Sequence, residues 1–149
     1  MDFGPFLFND ETAGQTLLYY SSDRPGGAGK VDIYVSRLSS ETGTFEPPVP
    51  ITELNTNKND FQPTLRKDGL EIFFVSGGPT GYFLDLWTAT RETTLDSWST
   101  PVNLTLLNIT AYEYHPTLSW DGTTLIFMSR RDGTADLFMS TRTRLHTPK

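Results

Sequence analysis

The chain has 149 residues, a formal net charge of −6 and no cysteine. The acidic balance argues against nucleic-acid binding, which depends on Lys and Arg, and against docking on an anionic membrane surface. The lack of cysteine excludes disulfides and thiolate metal sites, and no apolar run is long enough for a membrane-spanning helix. We therefore expect one domain that neither binds nucleic acid nor inserts into a membrane.

A repeat of about 50 residues organises the chain, a period typical of solenoids, propellers and arrays. The clearest copies read Phe-Gln-Pro-Thr-Leu-Arg-Lys-Asp-Gly at residues 61–69 and Tyr-His-Pro-Thr-Leu-Ser-Trp-Asp-Gly at residues 114–122. A looser first copy matches them at Pro5 and Asp10. Each copy continues into a hydrophobic run that ends in Ser, aligned as residues 17–21, 72–76 and 125–129. After a glycine-containing loop, each copy resumes with an Asp, namely Asp32, Asp85 or Asp136.

Each copy predicts β-strands, because short runs of β-branched and aromatic residues are bounded by Gly, Pro, Asn and Asp. Asp68 and Asp121 each precede a Gly between two such runs, as tight hairpins require. A proline-bearing fourth run at residues 45–51 and 98–104 suits an outer edge strand in the first two copies. The sequence therefore predicts an all-β chain of propeller blades, each with four antiparallel strands.

We expect a single domain with blades at about residues 2–56, 57–110 and 111–142, and a tail at 143–149. The third blade has no fourth run, so it is expected to be incomplete. Closed propellers typically have four to eight blades, and three are too few to close a ring. The sequence thus predicts half of a ring, either an engineered or excised fragment or a chain that pairs with a second copy to make six blades.

The order of motifs resembles the TolB-type (WD40-like) β-propeller repeat. Residues 116–122 and 129–133 carry the best match, residues 22–27 followed by Asp32 are close, and the likeness extends from about residue 2 to residue 142. It implies a bacterial protein of the periplasm or the extracellular space. The second copy departs from the pattern, since it has Gly77–Gly78 where the others have an Arg.

A candidate site precedes the prolines of the second and third copies, where the order is acid, aromatic, variable residue and Pro. The first strand of a propeller blade is the innermost, so these residues are expected near one mouth of the central channel. They are Asp60, Gln62, Glu113 and His115. Oxygen ligands with an imidazole could hold a cation such as calcium, and no other cofactor is expected. The alternative is that the acids cap strand-entry turns while the aromatic residues wedge between blades.

The Asp residues shared by all copies are interpreted as structural, because positions common to every repeat usually maintain the repeat. Asp32, Asp85 and Asp136 are expected to accept hydrogen bonds from loop amides or from Arg24 and Arg131. A metal or substrate site is the alternative for these three. Asp68 and Asp121 are interpreted as turn residues.

The sequence contains no Gly-x-Ser-x-Gly elbow and no phosphate-binding loop opening a helix. The resulting prediction is that the chain is not an enzyme. We instead expect a non-catalytic scaffold that binds a protein or glycan partner through loops at one face. This scaffold is also expected to form a homodimer. The alternative is a metal-dependent sugar-processing enzyme with its site at the channel mouth.

Overall fold

A computed structural model describes residues 1–77 and 83–143. These residues form strands and turns, and no helix among them is long and apolar enough to cross a membrane. The strands are β1 (Asp2–Asp10), β2 (Gln15–Ser22), β3 (Asp32–Arg37), β4 (Val49–Pro50), β5 (Asp60–Leu65), β6 (Glu71–Gly77), β7 (Leu84–Thr90), β8 (Val102–Asn103), β9 (Glu113–Leu118), β10 (Thr124–Ser129) and β11 (Asp136–Thr141).

The strands form three sheets, and every strand pairs antiparallel with its neighbour in sequence. The first sheet has the order β1-β2-β3-β4 and the second β5-β6-β7-β8, while the third has β9-β10-β11 in the described part of the chain. This confirms the predicted all-β class and the antiparallel blades, with four strands in the first two sheets and three described strands in the third. Closure of a six-bladed ring by two copies stays a prediction.

Alternation along β6 explains how the sheets stack. Ile72 and Phe74 belong to the core shared with the first sheet. Phe73 and Val75 point the other way, into the core shared with the third sheet. Because successive side chains of a strand face opposite sides, a strand buried on both faces reads as continuously hydrophobic. All seven residues of β6 are accordingly buried, and the second sheet is the middle layer.

The register corrects the sequence alignment of the first copy by one residue. Ser22, and not Ser21, pairs with the acid that opens the first strand, as Ser76 and Ser129 do in the other sheets. The physical reason is a longer first hairpin, in which β1 and β2 have nine and eight residues, whereas β5 and β6 have six and seven. Asp2 and Ser22 are therefore 20 positions apart, against 16 for Glu113 and Ser129. A one-residue shift matters because it reverses the face to which each side chain points.

Candidate functional site

The variable residue of the acid–aromatic–variable–Pro motif has the same backbone conformation in all three sheets. Gly4, Gln62 and His115 have φ values of 60°, 56° and 54°. The pairing register shifts beside each of them, as at a β-bulge. Glycine adopts this left-handed conformation freely, whereas other residues pay about 1–2 kcal/mol. Two of the three sheets therefore hold a side chain at a position where the backbone favours glycine.

Gln62 and His115 contact each other directly. The Gln62 side-chain Oε1 accepts a hydrogen bond from the His115 backbone N–H at 2.8 Å, and Gln62 Nε2 lies 3.2 Å from His115 Nε2. Since the first bond fixes the amide orientation, the amide nitrogen donates to an unprotonated Nε2. The backbone N–H of Gln62 in turn donates to Ser21 Oγ at 2.9 Å. One chain of hydrogen bonds thus connects β9 and β5 with the end of β2, and so links all three sheets.

The two acids of the motif lie beneath this pair and are fully buried. Glu113 accepts a hydrogen bond from Ser129 Oγ at 2.8 Å, and Arg131 Nη2 lies 3.6 Å from the same carboxylate oxygen. Asp2 repeats this arrangement in the first sheet with Ser22 and Arg24. Hydrogen bonds from those two side chains hold the pKa of the exposed Asp2 carboxyl below its usual value.

Asp60 differs from its two counterparts, because its sheet has Gly77–Gly78 in place of the Arg. Its Oδ2 accepts hydrogen bonds from the backbone and hydroxyl of Thr56, at 2.5 and 2.9 Å. Its Oδ1 is buried and has no hydrogen-bond partner among the described residues. Burial raises the pKa of Asp60 above its usual value, and the nearby Asp32 carboxylate adds to the effect. Asp60 therefore retains a proton more readily than Asp2, whose pKa is lowered.

The other repeated Asp residues contact their own loops and turns. Asp32 accepts backbone hydrogen bonds from Ala28 and Gly29, Asp85 accepts one from the Asn103 amide, and Asp136 accepts one from the Thr134 hydroxyl. The expected arginine partners bond elsewhere, since Arg24 donates to Ser22 and Asp2, and Arg131 donates to Ser129 and to the Leu107 carbonyl. The turn residues Asp68 and Asp121 accept backbone hydrogen bonds from Leu70 and Thr123.

No group of three or more His, Asp or Glu side chains within residues 1–77 and 83–143 is arranged to hold a metal ion. The predicted mouth residues divide into two layers: Gln62 and His115 reach the surface, whereas Asp60 and Glu113 are enclosed below them. A bound cation such as calcium stays a prediction.

A second set of surface residues was missed by the sequence reasoning. Asn9, Lys67 and Trp120 each precede the hairpin Asp of their copy, and all three are exposed. They line a cleft of about 740 Å³ at the other end of the innermost strands. The sequence did contain a signal for this set. The hairpin Asp is the same in all three copies, whereas the residue before it carries an amide in the first copy, an amine in the second and an indole in the third.

Comparison with known proteins identifies the fold. No protein-family model matches the sequence, and no curated protein matches it significantly. The structure is similar to the crystal structure of an endo-arabinase from Bacteroides thetaiotaomicron VPI-5482, with a TM-score of 0.67 and 16% sequence identity. The match covers 98% of this chain and 57% of the endo-arabinase chain, so this chain spans just over half of its length.

This comparison corrects two predictions. The strand arrangement that suggested a non-catalytic scaffold also occurs in an endo-arabinase, which is a glycoside hydrolase. The prediction of a non-catalytic scaffold was wrong on this finding, and so was the prediction that the chain is not an enzyme. The absence of a nucleophile elbow misled the reasoning, because glycoside hydrolysis runs on carboxyl groups and needs no such elbow.

Proposed function

We propose that the chain is a propeller part of a carbohydrate-processing enzyme whose sugar site lies at the channel mouth, around Gln62 and His115. The observation that carries the proposal is the pairing of these two residues, each in a left-handed conformation and bonded to the other across two sheets. Strained backbone of this kind concentrates at functional sites, where the surrounding structure maintains it. The fold likeness to an endo-arabinase supports a sugar polymer as the substrate class.

The chemistry of the pair suits a neutral polyol. An amide and an imidazole offer both donors and acceptors, as sugar hydroxyl groups do. The Tyr114 ring lies 5.3 Å from the His115 ring and adds an apolar surface beside them. We assign Gln62 and His115 the role of binding and orienting the sugar.

Asp60 is the proposed proton donor. Glycoside hydrolysis uses one carboxyl group that retains its proton and a second that is ionised. Burial raises the pKa of Asp60, in keeping with the first role. Glu113, which faces the Arg131 guanidinium, is the proposed second carboxyl group.

The repeat type and the cellular location are also part of this proposal. We propose that the repeat is of the TolB type, with its best match at residues 116–122 and 129–133. Export to the periplasm or the extracellular space goes with that type. Self-association and a protein or glycan partner stay predictions.

The proposal is tested by incubating the purified chain with arabinan and other neutral polysaccharides and measuring new reducing ends. We expect release by the unmodified chain and a loss of about tenfold or more in Gln62→Ala and His115→Ala. Thr117→Ala, at an exposed position two residues further along β9, is the matched control and should retain activity. A folded chain that releases no reducing ends from any of these polymers would overturn the proposal.

A further inference from the structure

The cleft at the hairpin ends is a separate feature from the channel mouth. Strand β5 begins at the mouth and ends five residues later beside the cleft, so about 17 Å separates the two places. The volume of about 740 Å³ lies within the range of small-molecule sites, which is about 300–1,000 Å³. Strand β1 of the first sheet and the hairpin turns of the other two sheets supply residues to it.

Trp120 supplies a largely exposed aromatic ring to the cleft. Its side chain is 76% exposed, and the Lys67 ammonium lies 4.4 Å from the ring centroid. This cation–π contact ties the ring to the neighbouring sheet. An indole that is anchored in this way and open to solvent offers a flat platform for the apolar face of a ring-shaped ligand.

The charges of the cleft select against an anionic ligand. Its lining includes four carboxylates and three cations. Both guanidinium groups are engaged, since Arg66 bonds to Asp68 at 2.8 and 3.0 Å, and Arg142 bonds to Glu71 at 2.7 and 2.6 Å. The cleft therefore has no excess of positive charge, and the exposed Asn9 adds a neutral amide to its lining.

We propose that this cleft is a binding site for a neutral oligosaccharide, which stacks on Trp120 and forms hydrogen bonds with Asn9 and Lys67. The site is distinct from the channel-mouth site and involves no bond cleavage. The ligand class of the cleft agrees with the proposed function. The cleft would give the same kind of polymer a second point of attachment, remote from the channel mouth.

The test is calorimetric titration with a linear neutral arabino-oligosaccharide. The measurement uses a Gln62→Ala/His115→Ala background, so that only the cleft is observed. We expect saturable binding that Trp120→Ala weakens by about tenfold or more. Phe45→Ala, which removes an exposed aromatic ring outside the cleft, is the matched control and should bind normally.

Three results would overturn the inference: no saturable binding in that background, equal affinity after Trp120→Ala, or tighter binding of an oligogalacturonate than of the neutral sugar. Because Trp120 is largely exposed, its removal is expected to leave the fold intact, which far-UV circular dichroism checks. Reducing-end release by the unmodified chain is measured separately and tests the proposed function alone. The failure of one proposal can therefore be told apart from the failure of the other.

Discussion

Arg142, at the end of the third sheet, donates two hydrogen bonds to Glu71 at the start of β6 in the second sheet, at 2.7 and 2.6 Å. Its Nε donates a third to the Gly122 carbonyl at 2.8 Å. Glu71 is 5% exposed and also accepts a hydrogen bond from Arg66. This carboxylate is thus held by arginines from two sheets, and it anchors the third sheet to the second.

We predict that Arg142→Ala lowers the free energy of unfolding by about 1–2 kcal/mol. Breaking a fully buried ion pair costs more, but the Arg142 side chain is 43% exposed and solvent screens part of the attraction. Arg142→Lys should recover little, because it loses the two-pronged geometry. Urea unfolding measures the change, and equal stability of all three proteins would contradict the prediction.

Asp60→Asn is predicted to stabilise the chain at neutral pH. The folded-state pKa of Asp60 is raised, so its ionisation weakens the fold as the pH increases through that pKa, and the variant avoids this cost. The difference in Tm between variant and unmodified chain should therefore grow from pH 4 to pH 7, by roughly 2–4 °C for each 1 kcal/mol. Thermal melts at both pH values test this, with Asp2→Asn as the comparison at an exposed acid of the same motif.

The same Asp60→Asn variant should lose reducing-end release, because the amide cannot serve as the proposed proton donor. We expect the variant to be more stable and less active, because a buried carboxyl group kept for catalysis lowers the stability of the fold. Activity that survives unchanged in Asp60→Asn would remove Asp60 from the proposed mechanism.

His115→Gly and His115→Ala separate backbone strain from the imidazole. Both remove the ring, but only glycine adopts φ near 54° without strain. We predict that the Gly variant is more stable than the Ala variant by about 1 kcal/mol, and that both have lost activity. Chemical denaturation of the two proteins side by side gives the difference, and a more stable Ala variant would refute the strain argument.

The outer face of the third sheet is predicted to be covered by a second copy of the chain. Leu86 is fully buried in the second sheet, whereas Leu137, at the equivalent place in the third, is 73% exposed, as are Ile126 at 41% and Met139 at 68%. The opposite face of the first sheet exposes Leu7 at 57%. Light scattering over a dilution series should give the mass of two chains, and Leu137→Lys should give one. A monomer at every concentration would contradict this prediction.

The sequence was sufficient for the fold because each copy carries its own turn signals. The hairpin Asp–Gly pairs and the alternating faces of β6 are local features, and local features repeat visibly. The prediction for the first copy was wrong by one residue because β1 and β2 are longer than their counterparts, and nothing in the hydrophobic run itself marks that extra length.

The candidate site was only partly predictable. The motif indicated which residues gather at the mouth, but not that Asp60 and Glu113 are enclosed while Gln62 and His115 bond to each other. That outcome depends on a left-handed bulge, which a glycine at position 4 suggests but which Gln62 and His115 do not reveal. The cleft around Trp120 is formed by residues from three sheets, and such a juxtaposition cannot be read from any one copy.

The outermost strands β4 and β8 consist of only two residues each. Pairing is therefore most extensive near the centre and thins towards the rim. Amide hydrogen exchange should be slowest in the first strands of each sheet and fastest at the outer edge. An insertion at the rim would disturb few backbone hydrogen bonds, so this architecture can acquire new outer loops in the course of evolution while its interior stays unchanged.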